Sequence, residues 1–363
     1  MADRDSRLDM AKGVAMLCVA LSHSAGLPRQ IFAPCMAFDV ALFYIVSGYL
    51  MTPARTGSPC FVRKQIRSVA VPFVLTVLAI GLVAPVVTAV ESADLSTLPG
   101  LIAKWIASAL YGAAGIEDLA GAHPDLWPLG ALWFLPALAE GKIMLAAIGA
   151  LPERARPLTA AAIAFAGAMT ARIVWLPLSL QAGMEAVLFL YAGQLVRERG
   201  WLEAVCDPIG AWGRHGRTHG AAATAVCVAG FAYLAFCSAT GTAPLLSVCQ
   251  HPNGFALDAP LSMAAAFAVL ALCSACLRAF PDAVGGLVAF GRGTLVFLCC
   301  HSFWLKCLPY TVAGSAAIAS ASSATGIPAW AVEFAAGMVF SLAAQALVSA
   351  ASTRLRQLRK PTK

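Results

Sequence analysis

Charge is what this chain of 363 residues has least of: Asp, Glu, Lys and Arg together make up 12%, about half the usual share in a soluble domain. With 60% hydrophobic residues and a mean hydropathy of +0.78, that scarcity excludes a water-soluble globular class and implies an integral membrane protein. The chain also lacks an internal repeat, a P-loop, a dinucleotide-type glycine fingerprint and a zinc-ligand spacing. Nothing therefore points to a bound metal or to a nucleic-acid partner. Strict period-2 alternation is missing as well, which disfavours an outer-membrane barrel and favours a helical bundle. No small-residue cleavage site follows the first apolar run, so that run reads as a retained helix rather than a cleaved signal. Twelve cysteines give no disulfide framework, because most of them fall inside apolar runs; Cys273-x-x-Cys276, alone in LALCSACL, fits small-residue packing. A Cys35–Cys249 bridge between two outer loops is a pairing the sequence leaves open.

What is present is a series of ten apolar runs, at about 10–27, 34–52, 68–90, 129–149, 158–176, 179–196, 219–240, 257–277, 286–306 and 328–350. Each is long enough to cross a hydrocarbon core of about 30 Å. The spacing thus predicts an all-α, polytopic bundle of about ten transmembrane helices, built as a single domain over 1–363. Placing the N-terminus in the cytoplasm puts all of the 25 Lys and Arg except Arg29, Lys104, Lys142, Arg172 and Lys306 on inner segments, and so predicts both termini inside. The inner set includes Arg55, His215-flanking Arg214 and Arg217, and the tail residues Arg359, Lys360 and Lys363. The outer segment 91–128 carries Glu117, Asp118 and His123, and its middle, TLPGLIAKWIASALYGAAG, reads as an amphipathic or re-entrant helix. The segment 307–327 reads as a flexible connector.

Ionisable groups inside a bilayer are costly and usually face a protein interior or a wet cavity. Lys12 and His23, eleven residues apart in the first run, project from one helix face roughly 16 Å apart by helix rise. Further membrane groups are Asp39, Glu140, Lys142, Glu185, Asp258, His301, Lys306 and Glu333. Glu185 and Asp258 read as ordinary helix-end residues, and Glu333 as one that reaches the outer interface. Ser47-Gly48 interrupts an aromatic run, where glycine admits a second backbone or a ligand. Arg63, Lys64 and Arg67 cluster at the inner start of the third run, as ordinary positive-inside charge or as a site for the phosphates of a nucleotide-like ligand. A lone His301, about 13 Å deeper than Arg292 by helix rise, fits a hydrogen-bonded structural group or a functional one.

Taken together, these residues resemble membrane-bound acyltransferase family 3, including its fucose-4-O-acetylase-like branch. Lys12 and His23 match its Arg-or-Lys, ten-residue, His motif. Phe43-Tyr44-Ile45-Val46-Ser47-Gly48-Tyr49-Leu50 matches its aromatic Ser-Gly motif, and Lys64 and Arg67 its basic pair. LWFLPAL at Leu132–Leu138, and Gly291-Arg292-Gly293-Thr294-Leu295 through His301, are similar to its later motifs. Leu298 stands where a tyrosine is frequent, and Ala41 where an aspartate is common.

The resemblance implies an O-acetyltransferase of the bacterial cytoplasmic (inner) membrane. It would take an acetyl or other acyl group from cytoplasmic acyl-coenzyme A, the co-substrate being acetyl-CoA. The acceptor would be a hydroxyl of a sugar, polysaccharide or glycolipid. His23 would act as base or take the acyl group itself, and Lys12 would orient the donor or stabilise charge. Ser47-Gly48 would close on the pantetheine arm or the oxyanion, while Arg63, Lys64, Arg67 and Arg292 would bind the donor. Glu140 or His301 would tune or relay. The competing class is a proton-coupled transporter or flippase, which scattered membrane acids and histidines would also suit.

Overall fold

The protein is described by a computed structural model over residues 4–51, 59–115, 125–214, 216–309 and 311–358. The readings at Arg55, Glu117, Asp118, His123, His215, Arg359, Lys360 and Lys363 lie outside the described residues.

Long apolar runs without breakers satisfy their backbone hydrogen bonds internally, and in lipid that leaves the helix as the available form. The described residues accordingly form α-helices, with one isolated bridge between Leu245 and Gln250. In order they are α1 (Ser6–Ser22), α2 (Arg29–Met36), α3 (Asp39–Leu50), α4 (Pro59–Glu91), α5 (Leu98–Tyr111) and α6 (Phe134–Ile148). Next come α7 (Arg156–Thr170), α8 (Leu180–Glu198), α9 (Leu202–Cys206), α10 (Pro208–Arg214) and α11 (Gly216–Thr240). The last are α12 (Phe255–Ala279), α13 (Pro281–Gly291), α14 (Thr294–Cys307), α15 (Val312–Thr325) and α16 (Ala329–Leu358).

Helix α8 is the spine of one half, packed against α3, α6 and α7. Small residues permit this crowding. A Cβ on Gly48 would collide with the Leu190 carbonyl of α8, and one on Gly193 with the Ile45 carbonyl of α3. In the other half, α1 lies between α13, α3 and α12, and α14 rests on α4 and α16. The outer faces remain apolar: Leu82 on α4 is 76% exposed and Leu347 on α16 is 73% exposed. Such surface suits lipid, not water.

Six stretches are long and apolar enough to cross a membrane: Arg29–Leu50, Arg67–Glu91, Gly130–Ile148, Gly216–Thr240, Phe255–Ala279 and Ala329–Ser352. A seventh is the pair α13 and α14, bent by 67°. The remaining three of the ten apolar runs fall on α1, α7 and α8. With 17 and 15 residues, α1 and α7 are shorter than the roughly 20 residues a straight span needs.

The connector expected at 307–327 needs correction, Cys35 and Cys249 are not bridged, and a helix lies within 91–128. The segment 307–327 is not a connector, because α15 occupies most of it; Thr311 caps that helix by accepting from the Gly314 amide at 2.9 Å. Cys35 and Cys249 are both free thiols. Within 91–128, α5 is held down by Trp105, which is buried and donates Nε1–H to the Val77 carbonyl at 2.9 Å. Ile102, Ile106 and Leu110 of the same helix stay exposed on one face, at i, i+4 and i+8.

Candidate active site

His23 sits where α1 stops. Asp5 caps the start of the helix, its side chain accepting from the Arg7 amide at 2.9 Å. At the other end the last carbonyls run out of amide partners. The His23 ring fills one such vacancy: its Nδ1 lies 2.7 Å from the Val19 carbonyl. A carbonyl can only accept, so Nδ1 carries the proton and the neutral ring presents a bare Nε2 lone pair. The turn after His23 is fixed from α16, where Glu333 Oε2 accepts from the Ala25 amide at 2.9 Å. Glu333 is only 5% exposed, its carboxylate turned into the protein.

A cavity of about 300 Å³ opens beside this imidazole. Its walls come from α1, α2, α3, the 3-10 turn Gly130–Trp133, the segment 244–248 and α14. Phe43, Trp133 and Phe134 give it an aromatic wall, and Asp39 and Lys306 join His23 as its ionisable groups. Lys306 has no hydrogen-bond or ion-pair partner among the described residues. Asp39 accepts from the Val40 amide through Oδ1 at 2.6 Å, while its Oδ2 is buried without a partner among them.

His301 lies behind His23 without lining the cavity. The two rings meet edge to face with centroids 6.3 Å apart. His301 is 2% exposed, stacks on Phe297 at 5.6 Å, and has Nδ1 3.3 Å from Ser341 Oγ. The sequence offered it as a relay or a structural group, and the structure brings it against His23.

Lys12 lies at the opposite end of α1 and does not line the cavity. It belongs to a cluster around Asp9, a buried carboxylate the sequence did not single out. Lys12 Nζ is 2.7 Å from it, Arg4 Nε 2.8 Å and Arg292 Nε 3.5 Å. Three cations on one acid leave positive charge over. Residues placed separately by the sequence, Lys12 and Arg292, are therefore neighbours. Arg63, Lys64 and Arg67 stand exposed on the first turns of α4.

Other predicted positions are elsewhere. Gly48 backs onto α8 and Ser47 beside it is half-buried, neither facing the cavity. Glu140 abuts Gly183 of α8 with Oε2 buried and unpartnered among the described residues. Sequence reasoning missed the convergence of Lys306 and Asp39 on His23 and the hold of Glu333 on the next turn. Each stood out as a membrane ionisable group, but nothing local showed what it faced. Glu185, read as an ordinary helix-end residue, is 1% exposed and sits 2.9 Å from His251 Nε2.

An imidazole with a free lone pair and an unpaired lysine in one aromatic chamber can remove a proton from a hydroxyl and stabilise a developing oxyanion. No curated protein and no solved structure matches the chain. A family model described as "Acyltransferase domain" matches residues 5–349, nearly the full length. By this match the chain belongs to membrane-bound acyltransferase family 3 and is a multi-pass membrane acyltransferase.

Proposed function

We propose that the protein moves an acetyl group from acyl-coenzyme A to a hydroxyl of a sugar, glycan or lipid-linked saccharide. It would act in a bacterial inner membrane as a bundle of about ten spans with both termini cytoplasmic. The observation that carries this reading is the His23 ring, held by Val19 so that Nε2 is free beside a chamber of substrate size.

In the proposed step, Nε2 takes the proton of the acceptor hydroxyl as its oxygen attacks the thioester carbonyl. The carbonyl oxygen gains negative charge, which the Lys306 side chain stabilises. The carbon–sulfur bond then breaks, and the departing sulfur recovers the proton from His23, leaving an ester and a free thiol. The aromatic walls exclude water that would otherwise hydrolyse the donor. Lys12, Arg4 and Arg292 around Asp9, with Arg63, Lys64 and Arg67, offer the surplus positive charge that donor phosphates need. Lys12, Arg4 and Arg292 lie toward the end of α1 remote from His23, which supports donor phosphates held at one end and reaction at the other.

His23→Ala in purified, detergent-solubilised protein should abolish transfer from labelled acetyl-coenzyme A without altering the thermal melt. Undiminished transfer would sink the reading. Uptake driven by a pH gradient in vesicles, with no acetyl-coenzyme A turnover, would favour a carrier.

A further inference from the structure

The segment between α11 and α12 separates two voids. Leu245 and Gln250 exchange backbone hydrogen bonds at 2.9 and 3.1 Å, closing a tight loop. On one side Pro244 to Val248 line the His23 chamber. On the other, Val248 to Pro252 line a second and larger cavity of about 590 Å³, completed by the end of α7, Arg172 and Phe255. Val248 is common to both, so the loop is a partition between two chambers. It is firmly built. Asp258 accepts from the Asn253 amide and side chain at 2.9 Å each and from the Tyr233 hydroxyl at 2.7 Å. Cys249, within the partition, holds φ at 54°, a left-handed conformation uncommon for a residue with a Cβ and a recurrent mark of functional loops.

The wall of this second chamber is more polar than apolar. His251 is its central group. The side chain is 4% exposed, with Nε2 on Glu185 Oε1 at 2.9 Å and Phe255 edge-on at 5.2 Å. Glu185 fixes the orientation of the ring. The second ring nitrogen, Nδ1, is buried with no hydrogen-bond partner among the described residues. Buried polar atoms are normally hydrogen-bonded, so this nitrogen is an exception that calls for an explanation. Arg172 lines the same chamber, is exposed, and has no carboxylate or carbonyl partner for its guanidinium among the described residues. A fixed imidazole and an unpaired guanidinium fork lining one void suit an acceptor with delocalised negative charge.

We infer that the chamber lined by Arg172 and His251 is a second binding site, specific for an oxyanion: a carboxylate or phosphate borne by a saccharide or by a lipid headgroup. This inference stands apart from the acyl-transfer reading, since it concerns binding on the far side of the partition from His23.

The test uses the full-length protein with ¹³Cε1-labelled histidine, the His251 resonance being assigned by its loss in His251→Gln. In nanodiscs of phosphatidylcholine, inorganic phosphate and glucuronate should shift that resonance saturably, whereas glucose should not. Arg172→Gln should raise the Kd by about tenfold or more, and Arg172→Lys should recover part of the loss. Glu185→Gln should weaken binding as well. Nanodiscs of phosphatidylglycerol distinguish the sources. A resonance already shifted there, and no longer responsive to glucuronate, identifies a lipid phosphate; one that still responds identifies a saccharide acid. The inference is overturned if phosphate, glucuronate and phosphatidylglycerol all leave the resonance unmoved. It is equally overturned if Arg172→Gln binds as tightly as the parent while melting at the same temperature. Loss of binding in the variants with acetyl transfer intact would separate this site from the His23 chemistry.

Discussion

Replacing Lys306 with methionine isolates the electrostatic half of the proposed reaction. Methionine keeps the length and apolar volume of the stem while removing the amine. The side chain shares the chamber with His23, and Gly130 opposite leaves it room: a Cβ there would stand 3.4 Å from Lys306 Cε and 3.8 Å from Nζ. A unit charge about 4 Å from a developing oxyanion contributes roughly 4 kcal/mol at an effective dielectric near 20. That corresponds to a loss of about 10³ in kcat, the upper range for removing one oxyanion-hole donor. The assay is steady-state transfer from labelled acetyl-coenzyme A in detergent, with a thermal melt on the same preparation. Lys306→Met should lower kcat with little change in the donor KM, and Lys306→Arg should restore part of it. An unchanged kcat in a folded Lys306→Met protein would refute the assignment. A raised acceptor KM alone would convert the residue into an acceptor-binding group.

Glu333→Gln weakens the acceptor for the Ala25 amide; it should cost about 1 kcal/mol of stability and reduce kcat through the His23 position while leaving the donor KM unchanged, read by melting and kinetics together. Gly48→Val drives a branched side chain into the Leu190 carbonyl; overpacking at a helix crossing should cost about 3 kcal/mol or more, seen as loss of the monodisperse peak on size exclusion. Asp207 is held below the ordinary carboxylate range by its hydrogen bond from Arg214 and by the Gly210 amide. Its contribution is therefore present above the unfolded value of 3.8 and disappears as pH falls through the lower folded value. Asp207→Asn should melt below the parent at pH 7, and the gap should close in strong acid; a gap independent of pH would show that the charge is not what matters.

Much of the site was legible in one dimension because helix periodicity is local. Lys12 and His23 share a face by count alone, and the structure keeps them on one helix, His23 at its end. His301 and Glu140 show the limit of such counting. Both are polar residues on apolar helices, yet His301 meets His23 at 6.3 Å while Glu140 packs against Gly183 of another helix. Which neighbour a helix face meets depends on crossings set by residues far apart in sequence. Ser47-Gly48 shows the same dependence: a small residue admits close approach, but only the position of α8 shows what approaches. The small, polar residues of 307–327 suggested a connector, whereas a threonine cap and a run of small helix-forming residues made α15.

The amino-acid order alone determined that this is a membrane-embedded helical protein, because hydropathy and the need to satisfy every backbone group within lipid leave few alternatives. It also determined which ionisable residues a bilayer would force inward. Tertiary structure alone decided which of them meet: Lys306 and Asp39 with His23, Arg4 and Arg292 with Lys12 on Asp9, and Glu185 with His251. Those meetings bring together groups from different helices, and their partners are chosen by packing in three dimensions, a quantity no local pattern encodes.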